Sequence, residues 1–371
     1  MVYNLISSVI FIIYINKFSA YNIYILNNTN IILYLKGIYI ISSSQVEYTK
    51  QRRLCISVVT RNRPKMLCKL FASLAQITRP SDMNVIFLIV ENNSAPSLEP
   101  QILSFRQQMV NDQIEYLLEP TLGLSAARNC ALNFAIDNHF DYLVFVDDDE
   151  IVEWDWLVQL CKERDRLDLD IVGSPVRPTA DVSELSLWQK MILSGVQQAE
   201  SRSERRNRLK CAQGKSNNIK VATGSWLGRL DFFRSTGLRF DTNFGLTGGE
   251  DWQLCAQAKS LGAKTGWACD AIVYETVPLA RLKLSYYYRR DRDHNITEFN
   301  ARYRANPWQS LRQLPLRSIG RLLRLLAAIL SISIRGPYGL VATAKAAGGL
   351  VGLLQGALGK TSMHYASTTG Y

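Results

Sequence analysis

Four short apolar runs, separated by stretches of helical character, constrain this chain more than any other feature. Leu54–Val59, Val85–Val90, Ile114–Leu118 and Tyr142–Val146 read as strands. Lys65–Gln76, Leu98–Val110 and Ala126–Asn138 read as the helices between them. Strands alternating with helices predict a mostly parallel, doubly wound α/β sheet over about residues 53–175. Ligands of such a sheet sit at the carboxyl ends of its strands. Those ends are polar here: Arg61-Asn62-Arg63-Pro64, Glu91-Asn92-Asn93-Ser94 and Asp147-Asp148-Asp149-Glu150.

Further along, residues 176–220 are polar and markedly basic from Arg202 to Lys210, and they read as a mobile loop. Order resumes with Val221–Leu230, a helix at Trp252–Leu261 and a strand at Ala271–Tyr274. The two ends differ in character from this middle. Residues 1–44 hold two apolar runs, Leu5–Ile15 and Ile31–Ile41, each shorter than the ~20 residues a spanning helix needs. They read as a signal anchor, an interfacial hairpin, or upstream sequence translated from a misplaced start codon. Beyond Pro315, Arg317, Arg321 and Arg324 punctuate an apolar stretch, and Gly339–Leu358 is rich in Ala, Gly and Leu. This end reads as basic apolar helices lying in a bilayer interface, or as a helical pair capping the catalytic domain. The expected organisation is therefore an apolar segment 1–44, a catalytic domain 45–300 and a membrane-associating helical region 301–371.

A length of 371 residues accommodates one large α/β domain with appendages, or two small ones. The net charge of +11 favours anionic partners, either a specific phosphate ligand or an acidic membrane surface. Nucleic acid is not expected, because the basic stretch Arg202–Lys210 lacks interleaved aromatic residues. The seven cysteines are scattered singly, which argues against a disulfide framework or a zinc site and for a reducing compartment.

Two acidic runs carry the chemistry. Three adjacent carboxylates, Asp147, Asp148 and Asp149, are costly to ionise together unless a counter-cation is near. A hard divalent cation, Mn2+ or Mg2+, bound by carboxylate and phosphate oxygens removes that cost. On an extended segment Asp147 and Asp149 share one side. An acidic surface turn is the plainer alternative, weakened because the run directly ends an apolar strand. Gly248-Gly249-Glu250-Asp251 is the second run: glycines permit close approach of a ligand, and a carboxylate at a helix start can act as a general base. Taken alone, it reads better as an acidic first turn of a helix.

Together with their neighbours, these runs resemble the family-2 glycosyltransferases. Leu54-Cys55-Ile56-Ser57-Val58-Val59-Thr60-Arg61-Asn62-Arg63-Pro64 is similar to that family's opening strand and turn, and Gly123-Leu124-Ser125-Ala126-Ala127-Arg128-Asn129 to its G-x-x-x-A-R-N segment. Val146-Asp147-Asp148-Asp149-Glu150 resembles its D-x-D motif and Phe244–Asp251 its G-G-E-D motif. Val273–Pro278, Arg281 and Arg289-Arg290 further resemble the bacterial succinoglycan-type glucosyltransferases. The resemblance spans about residues 53–300.

It implies a GT-A fold, a UDP- or similar sugar donor and inversion at the anomeric carbon. It also implies a lipid-linked or saccharide acceptor, and a peripheral or monotopic place on the cytoplasmic face of the plasma membrane. Carried over by position, Thr60, Arg61, Glu91, Asn93, Arg128, Asp147 and Asp148 fall on the donor side, with Asp149 and Asp147 toward the metal. Asp251 would be the general base, and Gly249, Glu250 and Glu275 would face the acceptor. Arg289 and Arg292, with Arg290 between them, would neutralise the leaving diphosphate. The chain departs from the pattern in having Glu91 where Asp is usual, and in lacking a His near Glu275. Glu275 is thus open to three roles: metal ligand, acceptor contact or structural residue. His294 is a lone histidine, structural or a ligand. Two rival functions are an inactive nucleotide-sugar or polysaccharide binder, which would show a broken acidic motif, and a nucleotidyltransferase. The latter would carry a glycine-rich phosphate loop, and Thr60–Arg63 contains no glycine.

Overall fold

The structure, a computed structural model, describes residues 51–180, 183, 185–244 and 249–361, and as backbone alone residues 23–26, 30–35 and 38–43. The chain divides into two compact units, Met1–Lys50 and Gln51–Tyr371. The first contains three strands, β1 (Ile23–Leu26), β2 (Asn30–Leu35) and β3 (Ile38–Ser43), in an antiparallel meander with Ile25 opposite Ile31 and Leu33 opposite Ile40. The run Ile31–Ile41 thus forms strands, and Leu5–Ile15 lies outside the described residues.

The second unit opens with β4 (Arg52–Thr60), α1 (Pro64–Leu74), β5 (Met83–Glu91), α2 (Glu99–Gln108), β6 (Ile114–Leu118), α3 (Leu124–Asp137) and β7 (Tyr142–Asp147). Proline at the first helical position starts α1, where a missing N–H costs nothing. Leu67, Leu70 and Leu74 then line one face and are fully buried, each contributing about 1.5–3 kcal/mol of transfer free energy. Next come β8 (Glu150–Val152), α4 (Trp156–Leu167), β9 (Ile171–Gly173), β10 (Val176–Thr179), α5 (Leu187–Ala212), β11 (Ser225–Arg229), α6 (Leu230–Thr236), α7 (Glu250–Ser260), β12 (Thr265–Trp267) and β13 (Val273–Thr276).

The central sheet has the order β12-β9-β11-β7-β4-β5-β6, parallel except where β11 runs against both β7 and β9. A small sheet, β10-β13-β8, stands beside it. Side chains of β4 alternate between two cores. Leu54, Ile56 and Val58 pack with α1, α2 and α4, whereas Cys55 packs with α3, α6 and α7. The chain reverses its winding between β4 and β7: α1 and α2 lead outward through β5 and β6, and α3 returns to the other side of β4. The switch point lies where Val59 pairs with Asp147, the position at which doubly wound sheets hold ligands.

The expected mobile loop at 176–220 is corrected. Residues 187–212 form the 26-residue helix α5, capped reciprocally by Ser186 and Gln189. Its first half buries Ile192, Leu193 and Val196, while its basic second half is held by ion pairs. Glu204 binds both Arg177 and Arg208, and Arg208 binds Asp270. Charge density was read as a solvated loop, but the charges are spaced to pair.

The chain ends in α8 (Leu284–Ala305), α9 (Pro307–Arg312), α10 (Leu314–Leu330), α11 (Ile332–Arg335) and α12 (Pro337–Ala357). Among the described residues, α12 alone is long and apolar enough to cross a membrane, and a third of its apolar window is buried inside the protein. Gly348, Gly352 and Gly356, four residues apart, form its contact with α8. A Cβ on Gly348 would strike the Tyr288 carbonyl oxygen, and one on Gly352 the Arg292 carbonyl oxygen. Small residues at this spacing let two helix backbones approach closely. A third core cluster, including Ile192, Leu193, Val277, Tyr287 and Val341, joins α5, α8 and α12.

Candidate active site

Asp148 and Asp149 form a tight turn between β7 and β8, so the extended geometry expected for Asp147 and Asp149 does not apply. Asp148 is buried and accepts hydrogen bonds from Thr60 Oγ1 and Arg63 Nη1, both at 2.7 Å. Arg63 Nη1 also reaches Asp149 Oδ2 at 3.1 Å. Asp149 and Glu275 share a second cation, Arg281, whose Nη1 lies 3.4 Å from Asp149 Oδ2 and 3.3 Å from Glu275 Oε1. Strand pairing brings Glu275 here, since it stands opposite Glu150 in the small sheet. Asp147 is the most open of the three, its side chain 41% exposed against 6% and 7% for Asp148 and Asp149.

Burial pushes both Asp148 and Asp149 up to about 6, with the neighbouring Glu275 charge adding to the effect at Asp149. Glu150 is raised well above the ordinary range by complete burial and by Asp147 beside it, and its Oε2 accepts the Asp147 backbone N–H at 2.9 Å. Gly224, ahead of β11, lets the chain pass against this group. A Cβ there would lie 2.7 Å from Glu150 Oε1 and 3.3 Å from Asp147 Oδ2.

The folded pKa values of Asp148 and Asp149 exceed the ordinary 3.8. The folded chain therefore binds more protons than the unfolded chain between about pH 4 and 6, and the stability these two groups contribute falls as pH rises through that window. A cation that binds the ionised carboxylates offsets this loss. Thermal melts should show Mn2+ raising Tm at about pH 7.5 and having little effect at about pH 4.5. An equal rise at both values would contradict the assignment.

The second acidic run meets the first through α3. Arg128 is buried, pairs with Glu250 through Nη1 and approaches Asp147 Oδ1 to 3.3 Å through Nη2. The turn that opens α3 is itself anchored by Asn92, whose Oδ1 accepts the Gly123 N–H at 2.8 Å and whose Nδ2 donates to the carbonyls of Glu119 and Thr121. Gly249 holds the left-handed conformation, φ 98°, at the start of α7. Gly248 lies outside the described residues. Glu250 is buried against Arg128, while Asp251 is part-exposed with its Oδ1 accepting the Trp252 N–H at 2.7 Å. Burial raises Glu250, partly opposed by the Arg128 charge.

Replacing Arg128 by Met leaves Glu250 as a buried charge without this partner. We expect a loss of about 3–5 kcal/mol in urea unfolding, partly restored when Glu250→Gln is added. Equal stability of the single and double variants would show that the pair does not couple α3 to α7.

Other sequence-predicted residues fall as follows. Glu91 ends β5 fully buried, with its carboxylate accepting from the Ser97 N–H at 2.9 Å, from Tyr116 Oη and from Asn93 Nδ2. Burial alone would raise it, but these bonds hold it below the usual carboxylate range. Asn93 also bonds Asn62 Oδ1 at 3.1 Å, across the turn where Asn62 adopts a left-handed φ of 54°. Arg61 lies part-buried in that turn. Arg289 bonds the Ser285 carbonyl and Arg292 pairs with Asp293, both on α8. The cations in direct contact with the aspartates are Arg63, Arg128 and Arg281. His294 is exposed on α8. Sequence reading gave no role to Arg63, Glu150 or Gly224. The only available signal for Arg63 was a basic residue just after the carboxyl end of the first sheet strand.

Residues 55–234 match the family model of Glycosyl transferase family 2. The chain is 29% identical over 247 residues to the succinoglycan biosynthesis protein ExoM of Rhizobium meliloti (strain 1021), covering 63% of this chain and 70% of ExoM. Among solved structures it resembles the mannosyltransferase PcManGT from Pyrobaculum calidifontis, determined with GDP-Man and Mn2+. That match has a TM-score of 0.56 and 15% identity, over 84% of this chain and 89% of PcManGT. S. aureus TarS matches with a TM-score of 0.42 and 17% identity over 65% of this chain, which spans 38% of TarS. By its sheet order and its likeness to PcManGT the chain has the GT-A fold, and residues 55–234 with the ExoM match make it similar to the family-2 glycosyltransferases.

Proposed function

We propose that this glycosyltransferase moves a hexose from a UDP-sugar or similar nucleotide sugar onto a lipid-linked or saccharide acceptor, with inversion, in the synthesis of a cell-surface polysaccharide. The observation that carries the reading is the link Asp147–Arg128–Glu250, which ties the carboxylate turn to the helix start bearing Asp251. ExoM's role in succinoglycan biosynthesis and the GDP-Man in PcManGT support the substrate class.

Asp251, the more open of the two carboxylates on α7, accepts the proton of the acceptor hydroxyl. That hydroxyl attacks the anomeric carbon from the face opposite the nucleotide, and the diphosphate departs. Arg63 and Arg281, paired with Asp148 and Asp149, would meet the charge developing on it. Glu250 fixes the start of α7 through Arg128, and Gly249 leaves room for the acceptor. Thr60, Arg61 and Asn93 line the nucleotide side, where Glu91 holds Asn93 in place. Arg289 and Arg292 keep their donor-side assignment on the family resemblance alone.

The residues fit a divalent cation. Among the described residues no group of three or more His, Cys, Asp or Glu side chains would hold a metal unaided. Asp149 and Asp147 nevertheless offer hard oxygens close enough for the Asp147 charge to raise Asp149, and crowding by Glu275 further disfavours a bare Asp149 charge. Asp149 and Asp147 would hold Mn2+ or Mg2+ together with donor phosphate oxygens. When bound, the ion supplies positive charge against the diphosphate. The setting we propose is the cytoplasmic face of the plasma membrane.

Calorimetric titration of the full chain with a panel of nucleotide sugars, with and without Mn2+, tests the reading. Saturable, Mn2+-dependent binding of one nucleotide sugar is the expected result. A folded protein that binds no member of the panel would contradict it.

A further inference from the structure

Helix α10 presents its two sides the opposite way from a surface helix in water. Leu316, Ile319, Leu323, Leu326 and Leu330 recur at three- and four-residue spacing and are all exposed, and Ile334 extends the stripe. No residue of α10 is buried. The other side carries Arg317, Arg321 and Arg324. Arg321 faces the protein, reaching Glu298 of α8 at 3.5 Å and lying close to Gly349 of α12. A helix on a soluble domain turns its apolar stripe to the core and its charges to water. Here Arg321 meets the protein, with Arg317 part-buried and Arg324 exposed, and the apolar side is left outside.

The size of the stripe argues for what covers it. A 17-residue helix is ~25 Å long and ~10 Å wide, which gives roughly 250 Å² of contact. A stable dimer buries about 800 Å² per partner, so a second copy seated on this stripe alone would be too weak. A bilayer interface takes a single helix of this kind in its plane. Trp308, 84% exposed just ahead of α10, suits the headgroup level, as do the exposed Arg312 and Arg335 on either side.

We propose that α10 docks the enzyme on a lipid bilayer, with its Leu316–Leu330 side inserted to the boundary of headgroups and acyl chains; this rests on the membrane setting proposed above. Because Arg321 is turned to Glu298, and Arg317 and Arg324 lie on the side of the helix away from the leucine stripe, apolar insertion carries the binding and attraction to anionic lipid is secondary.

Vesicle co-sedimentation of the full chain tests this, using phosphatidylcholine vesicles with and without phosphatidylglycerol, at low and high salt. Wild type should pellet with both kinds of vesicle and remain bound in high salt. The double variant Leu323→Glu/Leu326→Glu should partition at least about 100-fold more weakly, while Arg317→Gln/Arg324→Gln should bind like wild type. Should the glutamate variant lose its helical circular dichroism, Leu323→Gln/Leu330→Gln gives the same reading. Leucine variants that pellet like wild type, binding abolished by salt, or a wild type that stays in solution would each overturn the proposal. So would a wild type that dimerises through residues whose substitution leaves it monomeric. Nucleotide binding in the same samples separates the two readings: its loss with docking intact counts against the transferase assignment and leaves α10 as the docking surface.

Discussion

Asp251→Asn is expected to abolish measurable sugar transfer while leaving the nucleotide-sugar Kd within about twofold of wild type. The substitution is nearly isosteric, and the Asn carbonyl can still accept the Trp252 N–H that orients the side chain. Only the capacity to take a proton is lost. General-base assistance accounts for about 100- to 10,000-fold in rate, so kcat should fall by that range. In the proposed division of roles Asp251 serves the acceptor; it is part-exposed at the start of α7, whereas the carboxylates assigned to the donor are on a different turn. Donor binding should therefore not follow kcat downward. A variant within tenfold of wild-type kcat would remove Asp251 from the role of base.

Asp149→Asn should act on the other half of the site. Asp149 is held by Arg63 and Arg281 and crowded by Glu275, so its charge is the one a divalent cation would relieve most. We expect Mn2+-dependent donor affinity to drop about 100-fold, equivalent to about 2.7 kcal/mol, and affinity measured without Mn2+ to change little. Calorimetry in parallel with and without the ion checks this. Equal loss of donor binding in the Asp149 and Asp251 variants would end the division of roles between the two acidic runs.

Much of the fold is legible in local pattern. Leu54–Val59, Val85–Val90, Ile114–Leu118 and Tyr142–Val146 fall within β4, β5, β6 and β7, because apolar runs ended by polar turns have few other ways to be buried. The acidic turn directly follows β7, and α7 overlaps the helix expected at Trp252–Leu261. What escaped is of two kinds. Helix α5 was hidden because its second half is stabilised by pairings such as Arg177–Glu204 and Arg208–Asp270, whose partners lie far away in sequence. Of the site's cations Arg128 was assigned from sequence, but Arg63 and the role of Arg281 escaped for the same reason: Arg63 and Asp148 are 85 residues apart and Arg281 and Asp149 are 132. Arg289 and Arg292 drew attention as a cluster in sequence, yet their own contacts lie on α8. The outward stripe of α10 shows the limit in another way. Its periodicity is plain in sequence, but which side meets the protein depends on Glu298.

The anomeric form of the first sugar released tests the central claim most directly. The donor that binds in the calorimetric panel would be incubated with enzyme and Mn2+ in the absence of acceptor, so that water takes the place of the hydroxyl. The earliest product would be followed by proton NMR before mutarotation. Direct attack assisted by Asp251 predicts that an α-linked donor yields the β sugar first, and that Asp251→Asn releases none above background. An α sugar appearing first would require two displacements and a covalent intermediate, and would contradict the mechanism proposed for this site.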